Sequence, residues 1–390
     1  MHIVHVITRL IIGGAQENTV LTCRGLVNKG HRVTLVAGSE TGPEGSLWSD
    51  AESAGCGLVR LDSLRRAVSP WRDLAAHRDL RRLFQRLRPD LVHTHSSKAG
   101  ILGRSAARSA GVPLIVHTIH GMSFNRTQGA LARAVYRLLE RRAATYTDRL
   151  VTVADAMVQQ GVTAGLAPRD RFTTIHSGME TDDFRPDRAT REAVRAGWGL
   201  TEHEVVVGTI ARLFENKGYE AILEAMPSVV ARVPNLRFVW IGDGALRDRY
   251  ERRLTAMGLR ERVRFVGLVT PREVARLLNG FDLLVHASRW EGLPRSVVQA
   301  MLSEVPVISY DNDGAPEVVT PDETGVLVPY GDTAKLADAV VALSAAPARR
   351  TALGRAGRLR CAEPFDWRRM VDELDRLYHA LASDRKSCGL

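Results

Sequence analysis

Two positive charges follow a short apolar run near the middle of the chain. Arg212 and Lys217 come after Val205-Val206-Val207-Gly208, and Gly218 stands beside the lysine. At the carboxyl end of a strand, an arginine can bind an anion by bidentate hydrogen bonds and a lysine can act as a point charge. The spacing therefore predicts a site that binds a diphosphate. The alternative is a pair of solvated surface residues.

A second group of polar residues follows the apolar run that ends at His286. The carboxylate of Glu291 can accept hydrogen bonds from sugar hydroxyls, and the backbone amides of Gly292-Leu293-Pro294 can reach the same ligand. Gln299 stands eight positions after Glu291, on the helix predicted next. These residues predict a site for a ligand rich in hydroxyl groups.

A glycine pair near the N-terminus is suited to binding an anion through the backbone. Gly13 and Gly14 follow the first predicted strand and lead into a helix with Ala15 and Gln16 at its start. Glycines allow backbone N–H groups at a helix N-terminus to approach an anion closely. The pattern is not G-x-G-x-x-G, and a plain turn is the alternative interpretation.

Short apolar runs alternate with longer amphipathic stretches along the whole chain, which is typical of β-α units that form parallel sheets. In the first half, the predicted strands lie near residues 2–7, 32–37, 90–94, 113–117, 149–153 and 172–176. In the second half, they lie near residues 204–210, 236–241, 262–266, 282–286, 305–309 and 325–328. We predict two doubly wound, Rossmann-like α/β domains, joined in the polar stretch near residues 179–198.

The predicted topology also indicates where ligands bind. Ligands of open parallel sheets lie outside the carboxyl ends of the strands, so two facing domains are expected to bind them in a central cleft. The last predicted helix carries an apolar stripe that must pack against a large surface. The stripe consists of Trp367, Met370, Val371, Leu374, Leu377, Tyr378 and Leu381.

The charge of the chain is uneven. Of 390 residues, 45% are hydrophobic and 25% charged, which is ordinary for a soluble globular protein. The net charge of +10 arises wholly in residues 1–180, with 24 basic and 14 acidic residues, whereas residues 181–390 hold 30 of each. A basic half predicts an anionic partner: nucleic acid, an anionic membrane or a phosphorylated substrate. Aromatic residues make up 6% and are not interleaved with the basic patch, so we expect no nucleic acid.

One predicted helix, near residues 130–143, is basic and amphipathic. Leu131, Val135, Leu138 and Leu139 fall on one face, and Arg133, Arg137, Arg141 and Arg142 surround it. Such a helix either belongs to the core and has a solvated basic face, or lies on anionic lipid.

The cysteines and the hydropathy favour a cytoplasmic protein. Peripheral association with the inner face of the membrane is the alternative location. Cys23, Cys56, Cys361 and Cys388 form neither a metal motif nor a disulfide framework. No segment approaches the ~20 apolar residues that span a bilayer.

Together, the motifs resemble those of the retaining glycosyltransferases of family 4, which have the GT-B fold. The resemblance covers nearly the whole chain. The matching segments are Gly13-Gly14-Ala15-Gln16, His117-Thr118-Ile119-His120-Gly121, Ser177-Gly178-Met179-Glu180, Arg212 with Lys217-Gly218, Gly242-Asp243-Gly244, Phe265-Val266-Gly267, Glu291-Gly292-Leu293-Pro294, Gly314-Ala315-Pro316-Glu317 and Gly325-Val326-Leu327-Val328-Pro329.

The resemblance implies that domain 1–180 binds an acceptor, that domain 181–365 binds a nucleotide-sugar donor, and that the final helix, about 366–383, crosses back onto the first domain. It implies that Arg212 and Lys217 hold the donor diphosphate, that Glu291 holds sugar hydroxyls, and that His120 reaches the donor sugar from across the cleft. The further donor-binding candidates are Gly13, Gly14, Gly242, Val266, Gly292, Leu293, Pro294 and Gln299. The candidates on the acceptor side are His93, His95 and Gln16.

Gln299 departs from the family pattern, which usually has a ribose-binding glutamate at this position. An amide can accept one ribose hydroxyl, but it cannot accept two charge-assisted hydrogen bonds. Donor affinity or nucleotide preference is therefore expected to differ.

Two patterns suggest a metal, and we interpret neither as a metal site. Asp311-Asn312-Asp313 spells D-x-D, but two cations already serve the diphosphate, so a solvated turn is expected. His93-x-His95 and His117-x-x-His120 lack a third ligand at zinc spacing. We expect no metal and no cofactor, with His93 and His95 as polar residues near the acceptor.

The activity implied by the resemblance is a metal-independent, retaining transfer of a hexosyl unit from a nucleoside diphosphate sugar. The expected nucleotide is UDP, and the expected acceptor is a hydroxyl of a cell-envelope glycan or a lipid-linked molecule. The alternative is a nucleotide-sugar isomerase of the epimerase kind, which shares this architecture and would need acid and base groups at the donor sugar. The oligomeric state stays open.

Overall fold

The computed structural model describes residues 1–39, 42, 45–124 and 128–387, and Cys388 lies outside them. The chain divides into two compact units. The first unit comprises Met1–Met179 together with the C-terminal segment from Trp367, and the second comprises Glu180–Asp366.

The first unit contains a parallel sheet in the order β3-β2-β1-β4-β5-β6-β7. Its strands are β1 His2–Arg9, β2 Arg32–Gly38, β3 Gly57–Arg60, β4 Leu91–His95, β5 Leu114–Ile119, β6 Arg149–Thr152 and β7 Phe172–Thr174. The strand order changes direction between β1 and β4, and ligands of doubly wound sheets bind at such a point.

Helices cover both faces of this sheet. They are α1 Gly14–Asn28, α2 Trp48–Ser53, α3 Pro70–Leu87, α4 Ser97–Ser109, α5 Ala130–Ala144 and α6 Asp155–Thr163. Side chains of β1 alternate between two cores: Ile3 and Ile7 pack on the face that contains α1, and Val4 and Val6 pack against α3 and α4 on the other.

The second unit contains a parallel sheet in the order β10-β9-β8-β11-β12-β13. Its strands are β8 Val205–Ile210, β9 Leu236–Ile241, β10 Val263–Gly267, β11 Leu283–His286, β12 Val307–Asp311 and β13 Gly325–Pro329. The change of direction falls between β8 and β11, the strands that precede Lys217 and Glu291.

Helices also flank the second sheet, where Val207, Tyr219 and Trp240 belong to one buried cluster. The helices are α7 Arg188–Gly197, α8 Tyr219–Arg232, α9 Arg247–Ala256, α10 Pro271–Leu278, α11 Arg295–Leu302, α12 Ala315–Val318, α13 Thr333–Ser344 and α14 Pro347–Ala362.

The last helix, α15 Trp367–Ser387, packs on the first unit. Five residues of its predicted stripe are buried there: Met370, Val371, Leu374, Tyr378 and Leu381. Gly25 of α1 allows the close approach, because a Cβ at this position would lie 2.5 Å from Cγ2 of Val371. The expectation that the final helix crosses back onto the first half is confirmed.

The predicted strands are all present, and the fold class is confirmed as two doubly wound α/β units. The prediction missed one strand, β3, because its four residues lie at the outer edge of the sheet and alternate only weakly between apolar and polar. Within the described ranges, no helix combines the length and the apolar character that crossing a bilayer requires.

Candidate active site

In the second unit, the loops after β8 and β11 bring a cation and a carboxylate together. The Nζ atom of Lys217 lies 2.5 Å from Oε1 of Glu291. Both side chains are partly open to solvent, with 17% of Lys217 and 22% of Glu291 exposed. The pair therefore lies where a ligand at the carboxyl ends of the strands can contact both charges.

Backbone contacts hold these two loops against each other. Gly218 has a φ of 77°, and a Cβ there would lie 1.8 Å from the carbonyl oxygen of Ala287. The amide of Arg289 donates to the carbonyl of Asn216 at 2.8 Å. The glycine next to Lys217 is thus required by the positive φ and by the close approach of the second loop.

A third loop, which follows β12, fixes the position of Glu291. Oδ2 of Asp313 accepts a hydrogen bond from the amide of Glu291 at 2.8 Å. The side-chain amide of Asn312 donates to the carbonyls of Ser288 at 3.1 Å and Arg289 at 3.2 Å. The predicted turn is present, but Asn312 and Asp313 are half-buried and hold the loop that carries Glu291, so their side chains are not simply solvated.

The charges around Glu291 favour its ionised form. Burial opposes ionisation, but the positive charge of Lys217 and its hydrogen bond outweigh burial and lower the pKa of Glu291. Nε2 of His286 lies 3.8 Å from Oε1 of Glu291, and burial lowers the pKa of this histidine to about 4. Near neutral pH, the loop therefore presents a carboxylate beside a neutral imidazole.

Arg212 is exposed on the loop after β8, and its guanidinium carbon lies 5.0 Å from the ring centroid of Phe214. Gly242, at the end of β9, has a φ of 128°, and a Cβ there would lie 2.1 Å from the carbonyl oxygen of Ala211. Only glycine fits at this position beside the arginine loop. Val266 of β10 is half-buried.

The remaining predicted donor residues line the start of α11. Gly292, Leu293 and Pro294 are buried in the turn that leads into this helix. Gln299 lies further along the helix and is 8% exposed. A substitution at Gln299 therefore places the new side chain in a mostly buried environment.

In the first unit, α1 begins at Gly14, directly after Gly13, as the glycine pair predicts. Gly13 has an extended φ of 173°, which any residue adopts. A Cβ there would lie 2.9 Å from Oε1 of Gln16, so the Gln16 side chain lies over the glycine.

His120 lies at the carboxyl end of β5 and lines a cavity of ≈ 240 Å³. Ala15, Ser96 and Glu140 line the same cavity. Its volume and its mixture of hydroxyl, imidazole and carboxylate groups suit a small polar ligand.

His93 and His95, which were expected to be polar residues near the acceptor, lie at the end of β4 but are not exposed at the surface. Their place near an acceptor stays a prediction. Both are buried, because β4 is a central strand with helices on both faces. The ring nitrogens of His93 contact the hydroxyl oxygens of Tyr378 at 2.5 Å and Thr118 at 2.7 Å. His95 lies beneath His120, with Nδ1 3.1 Å from its Nε2.

A buried ion pair beside the cavity was not predicted from the sequence. Nη2 of Arg104, on α4, donates to Oε2 of Glu140, on α5, at 2.5 Å. Arg104 is fully buried and Glu140 nearly so. The sequence feature that could have indicated this pair is Glu140, an acidic residue in the otherwise basic helix α5.

The packed face of α5 is the one that carries Glu140, Ala143 and Ala144, and the Leu-rich face is open. Leu131 is 80% exposed and Leu138 is 66% exposed. The alternative that placed these leucines in a core is therefore wrong.

Comparisons with known proteins agree with these features. Residues 13–178 match the family model of the glycosyl transferase 4-like domain, and residues 190–360 match the model of the glycosyl transferases group 1. The putative glycosyltransferase EpsD of Bacillus subtilis (strain 168) is 30% identical over 324 residues, which cover 81% of this chain and 83% of that protein.

Two further relatives have more specific names. The UDP-Gal:alpha-D-GlcNAc-diphosphoundecaprenol alpha-1,3-galactosyltransferase of Escherichia coli is 29% identical over 342 residues, 87% of each chain. The GDP-mannose-dependent alpha-(1-6)-phosphatidylinositol monomannoside mannosyltransferase of Mycobacterium tuberculosis is 27% identical over 354 residues, 89% of each chain.

Among solved structures, Anabaena HepE in complex with UDP-glucose has a TM-score of 0.85 at 18% identity and covers 97% of this chain and 100% of that one. WaaG, a glycosyltransferase involved in lipopolysaccharide biosynthesis, has a TM-score of 0.76 at 15% identity and covers 96% of this chain and 99% of that one. These likenesses show a shared fold.

The chain belongs to the family 4 glycosyltransferases and has the GT-B fold. The resemblance inferred from its motifs is confirmed. The comparisons give no support to the isomerase alternative.

Proposed function

We propose that this glycosyltransferase moves a hexosyl unit, with retention of configuration and without a metal, from a UDP-sugar to a hydroxyl of a lipid-linked or cell-envelope glycan. The observation that carries the proposal is the ion pair between Lys217 and Glu291 at the carboxyl ends of β8 and β11. One site thereby offers a cation for a diphosphate and a carboxylate for sugar hydroxyls.

In this reaction, the acceptor oxygen forms a bond to the anomeric carbon while the bond from that carbon to the β-phosphate oxygen breaks. The departing β-phosphate oxygen accepts the proton of the acceptor hydroxyl on the same face of the sugar. Lys217 and Arg212 stabilise the charge that develops on the diphosphate, which is the largest contribution expected of these residues. Glu291 stays ionised and orients the sugar through its hydroxyl groups.

The absence of a metal requirement is supported by the way the D-x-D segment is used. Asp313 accepts the amide hydrogen of Glu291, and Asn312 donates to two carbonyls of the same loop. These contacts support a structural role for Asn312 and Asp313 in the proposal.

The identity of donor and acceptor is supported by the named relatives. The Escherichia coli relative uses UDP-Gal and a diphosphoundecaprenol-linked sugar, and the Mycobacterium tuberculosis relative uses GDP-mannose and a phosphatidylinositol monomannoside. Both acceptors are lipid-linked. A lipid-linked acceptor therefore has more support than either nucleotide.

A lipid-linked acceptor also fits the surface of α5. This helix exposes Leu131, Val135, Leu138 and Leu139, and it carries four exposed arginines: Arg133, Arg137, Arg141 and Arg142. Apolar side chains flanked by arginines match the interface of an anionic bilayer. We assign this face to the inner surface of the cytoplasmic membrane.

The test is a transfer assay with UDP-galactose, UDP-glucose, UDP-N-acetylglucosamine and GDP-mannose, each with GlcNAc-diphosphopolyprenol and in the presence of EDTA. We expect one UDP-sugar to give a product whose new bond has the α configuration by NMR, as in the donor. Transfer from GDP-mannose alone would contradict the proposed donor. A β-linked product would contradict retention of configuration, and activity that EDTA abolishes would contradict the absence of a metal requirement. Isomerisation of a donor without acceptor would favour an epimerase.

A further inference from the structure

Two buried histidines of the first unit, His5 and His95, form a hydrogen-bonded chain that ends at the half-buried His120. Nδ1 of His5, on β1, lies 3.0 Å from Nε2 of His95, on β4. Nδ1 of His95 lies 3.1 Å from Nε2 of His120, which follows β5. The chain therefore runs from the interior of the sheet to a residue that lines the 240 Å³ cavity.

The geometry of the sheet brings these residues together. His5 pairs in register with His93, and His95 stands two positions further along β4, so all three side chains lie on one face. His5 and His95 are neutral near pH 7, because burial lowers the pKa of His5 to about 3 and that of His95 well below its usual value.

The far end of the chain sets the direction of its hydrogen bonds. Nε2 of His5 is buried and has no hydrogen-bond partner among the described residues. Among buried backbone groups, an N–H without a partner is rarer than an acceptor without one. By the same reasoning, we place no proton on this nitrogen of His5. Nδ1 of His5 then donates to His95, and Nδ1 of His95 donates to Nε2 of His120.

From this arrangement, we propose that His95 is a positioning residue for His120, and that His5 orients His95. The donated hydrogen bond makes Nε2 of His120 an acceptor, so a neutral His120 carries its proton on Nδ1. Nδ1 is then the ring nitrogen of His120 that acts as a hydrogen-bond donor. The effect on turnover rests on the proposed function, in which His120 contacts the donor sugar. The tautomer of His120 does not depend on the proposed function.

The group of buried histidines formed by His5, His93 and His95 is a poor metal site. Nitrogen atoms of His5, His93 and His95 lie within 4.8 Å of one another, but both nitrogens of His93 already contact hydroxyl groups. His5 and His95 point ring nitrogens at each other across a hydrogen bond. No carboxylate belongs to this group in the part of the chain that the structure describes.

The direct test is NMR of the full chain labelled with ¹⁵N-histidine, without substrate. Two-bond ¹H–¹⁵N correlations distinguish protonated from unprotonated ring nitrogens, and the spectrum of His120→Ala assigns His120. We expect a protonated Nδ1 and an unprotonated Nε2 in His120. A proton on Nε2 of neutral His120 overturns the proposal whether or not the protein transfers sugars.

Kinetics supply the second test, once a donor and an acceptor are known. His95→Leu should lower kcat about 10–100-fold, by analogy with the loss on removing a group that orients a metal-bound imidazole. His95→Asn should recover most of that loss, because its amide nitrogen can donate from the place of Nδ1.

A double-mutant cycle separates positioning from a general effect on the fold. In the His120→Ala background, His95→Leu should change kcat less than twofold, because the residue through which His95 acts is already gone. An equal loss in both backgrounds, or no recovery in His95→Asn, overturns the proposal. Thermal unfolding of each variant shows that the compared proteins are folded.

Discussion

Asp313 holds the amide of Glu291 at 2.8 Å, so the loop after β12 positions the carboxylate that follows β11. Asp313 has a φ of 48°, in the left-handed region, and this conformation lets its side chain reach back to that amide. The residue thus combines an unusual backbone conformation with a hydrogen bond to the candidate site.

Asp313→Ala should lower kcat/KM for the donor about tenfold. The variant loses a hydrogen bond worth ~1 kcal/mol and places alanine in a left-handed conformation that costs ~1–2 kcal/mol. Asp313→Asn is the matched control, since asparagine tolerates this conformation and keeps an oxygen acceptor, so we expect a loss below threefold. If kcat/KM instead falls to the same large extent in both variants, and the size of the fall changes with the concentration of added Mn²⁺ or Mg²⁺, the result would indicate that Asp313 is a metal ligand.

Gln299→Glu should tighten donor binding, up to about tenfold, if Gln299 contacts the ribose. Hydrogen bonds to a charged acceptor are worth ~1.5–3 kcal/mol against ~0.5–1.5 kcal/mol for neutral ones. Gln299 is 8% exposed, so desolvation of the new charge offsets part of the gain. Calorimetry with the UDP-sugar and with UDP measures the effect.

The two ligands provide the control for this variant. UDP carries the ribose without the sugar, so both affinities should change in parallel. If neither Gln299→Glu nor Gln299→Ala alters either affinity, the ribose does not lie at Gln299.

Acidification from pH 7.5 to pH 5.5 should destabilise both units through buried histidines. Burial lowers the pKa of His5 to about 3 and that of His286 to about 4. The unfolded chain binds these protons below about pH 6.5 and the folded chain does not, so stability is complete above that pH and falls below it. Each residue should cost on the order of 1 kcal/mol of stability at pH 5.5.

Urea unfolding at the two pH values measures this loss. His5→Asn and His286→Asn should each lose less stability on acidification than the wild type. Exposed His203 serves as the control, and His203→Asn should behave as the wild type does. An acid sensitivity that is identical in all four proteins would place its origin elsewhere.

Binding to vesicles should require anionic lipid and should weaken with salt, because exposed charges interact over about one Debye length, ~10 Å at 0.1 M. Replacing Arg133, Arg137 and Arg141 by glutamine should weaken binding by ~1 kcal/mol per residue. Cosedimentation with vesicles that contain phosphatidylglycerol measures it.

The matched control removes three exposed arginines from α9: Arg249, Arg252 and Arg253. These changes alter the net charge equally, but they lie on a helix of the second unit. If both triple variants lose the same affinity, the interaction is a general charge effect and α5 does not dock on lipid.

The sequence predicted most of the sheet strands and the place of the charged loops, because apolar runs bounded by polar turns identify buried parallel strands. It did not predict that Lys217 and Glu291 contact each other. They are 74 residues apart in the chain, and their loops are brought together by the packing of Gly218 against Ala287 and by the hydrogen bond from Arg289 to Asn216.

The buried polar groups of the first unit were harder to predict. His5 lies within an apolar run that indicates a strand, and its alignment with His93 depends on the register of β1 and β4. The exposed leucines of α5 have the same spacing as a core stripe, so periodicity alone could not tell an exposed apolar face from a buried one.

The most direct test of the central claim is the turnover number of Lys217→Ala at saturating donor. If Lys217 stabilises the leaving diphosphate, kcat should fall ~10²–10³-fold, the range for one preorganised group that stabilises a developing anion, and Arg212→Ala should show a loss in the same range. Lys335→Ala is the control, because Lys335 also pairs with a carboxylate, that of Asp332 at 3.6 Å, but on the exposed start of α13. We expect Lys335→Ala to keep its full turnover. A folded Lys217→Ala variant with the turnover of the wild type would contradict the assignment of this ion pair as the donor site.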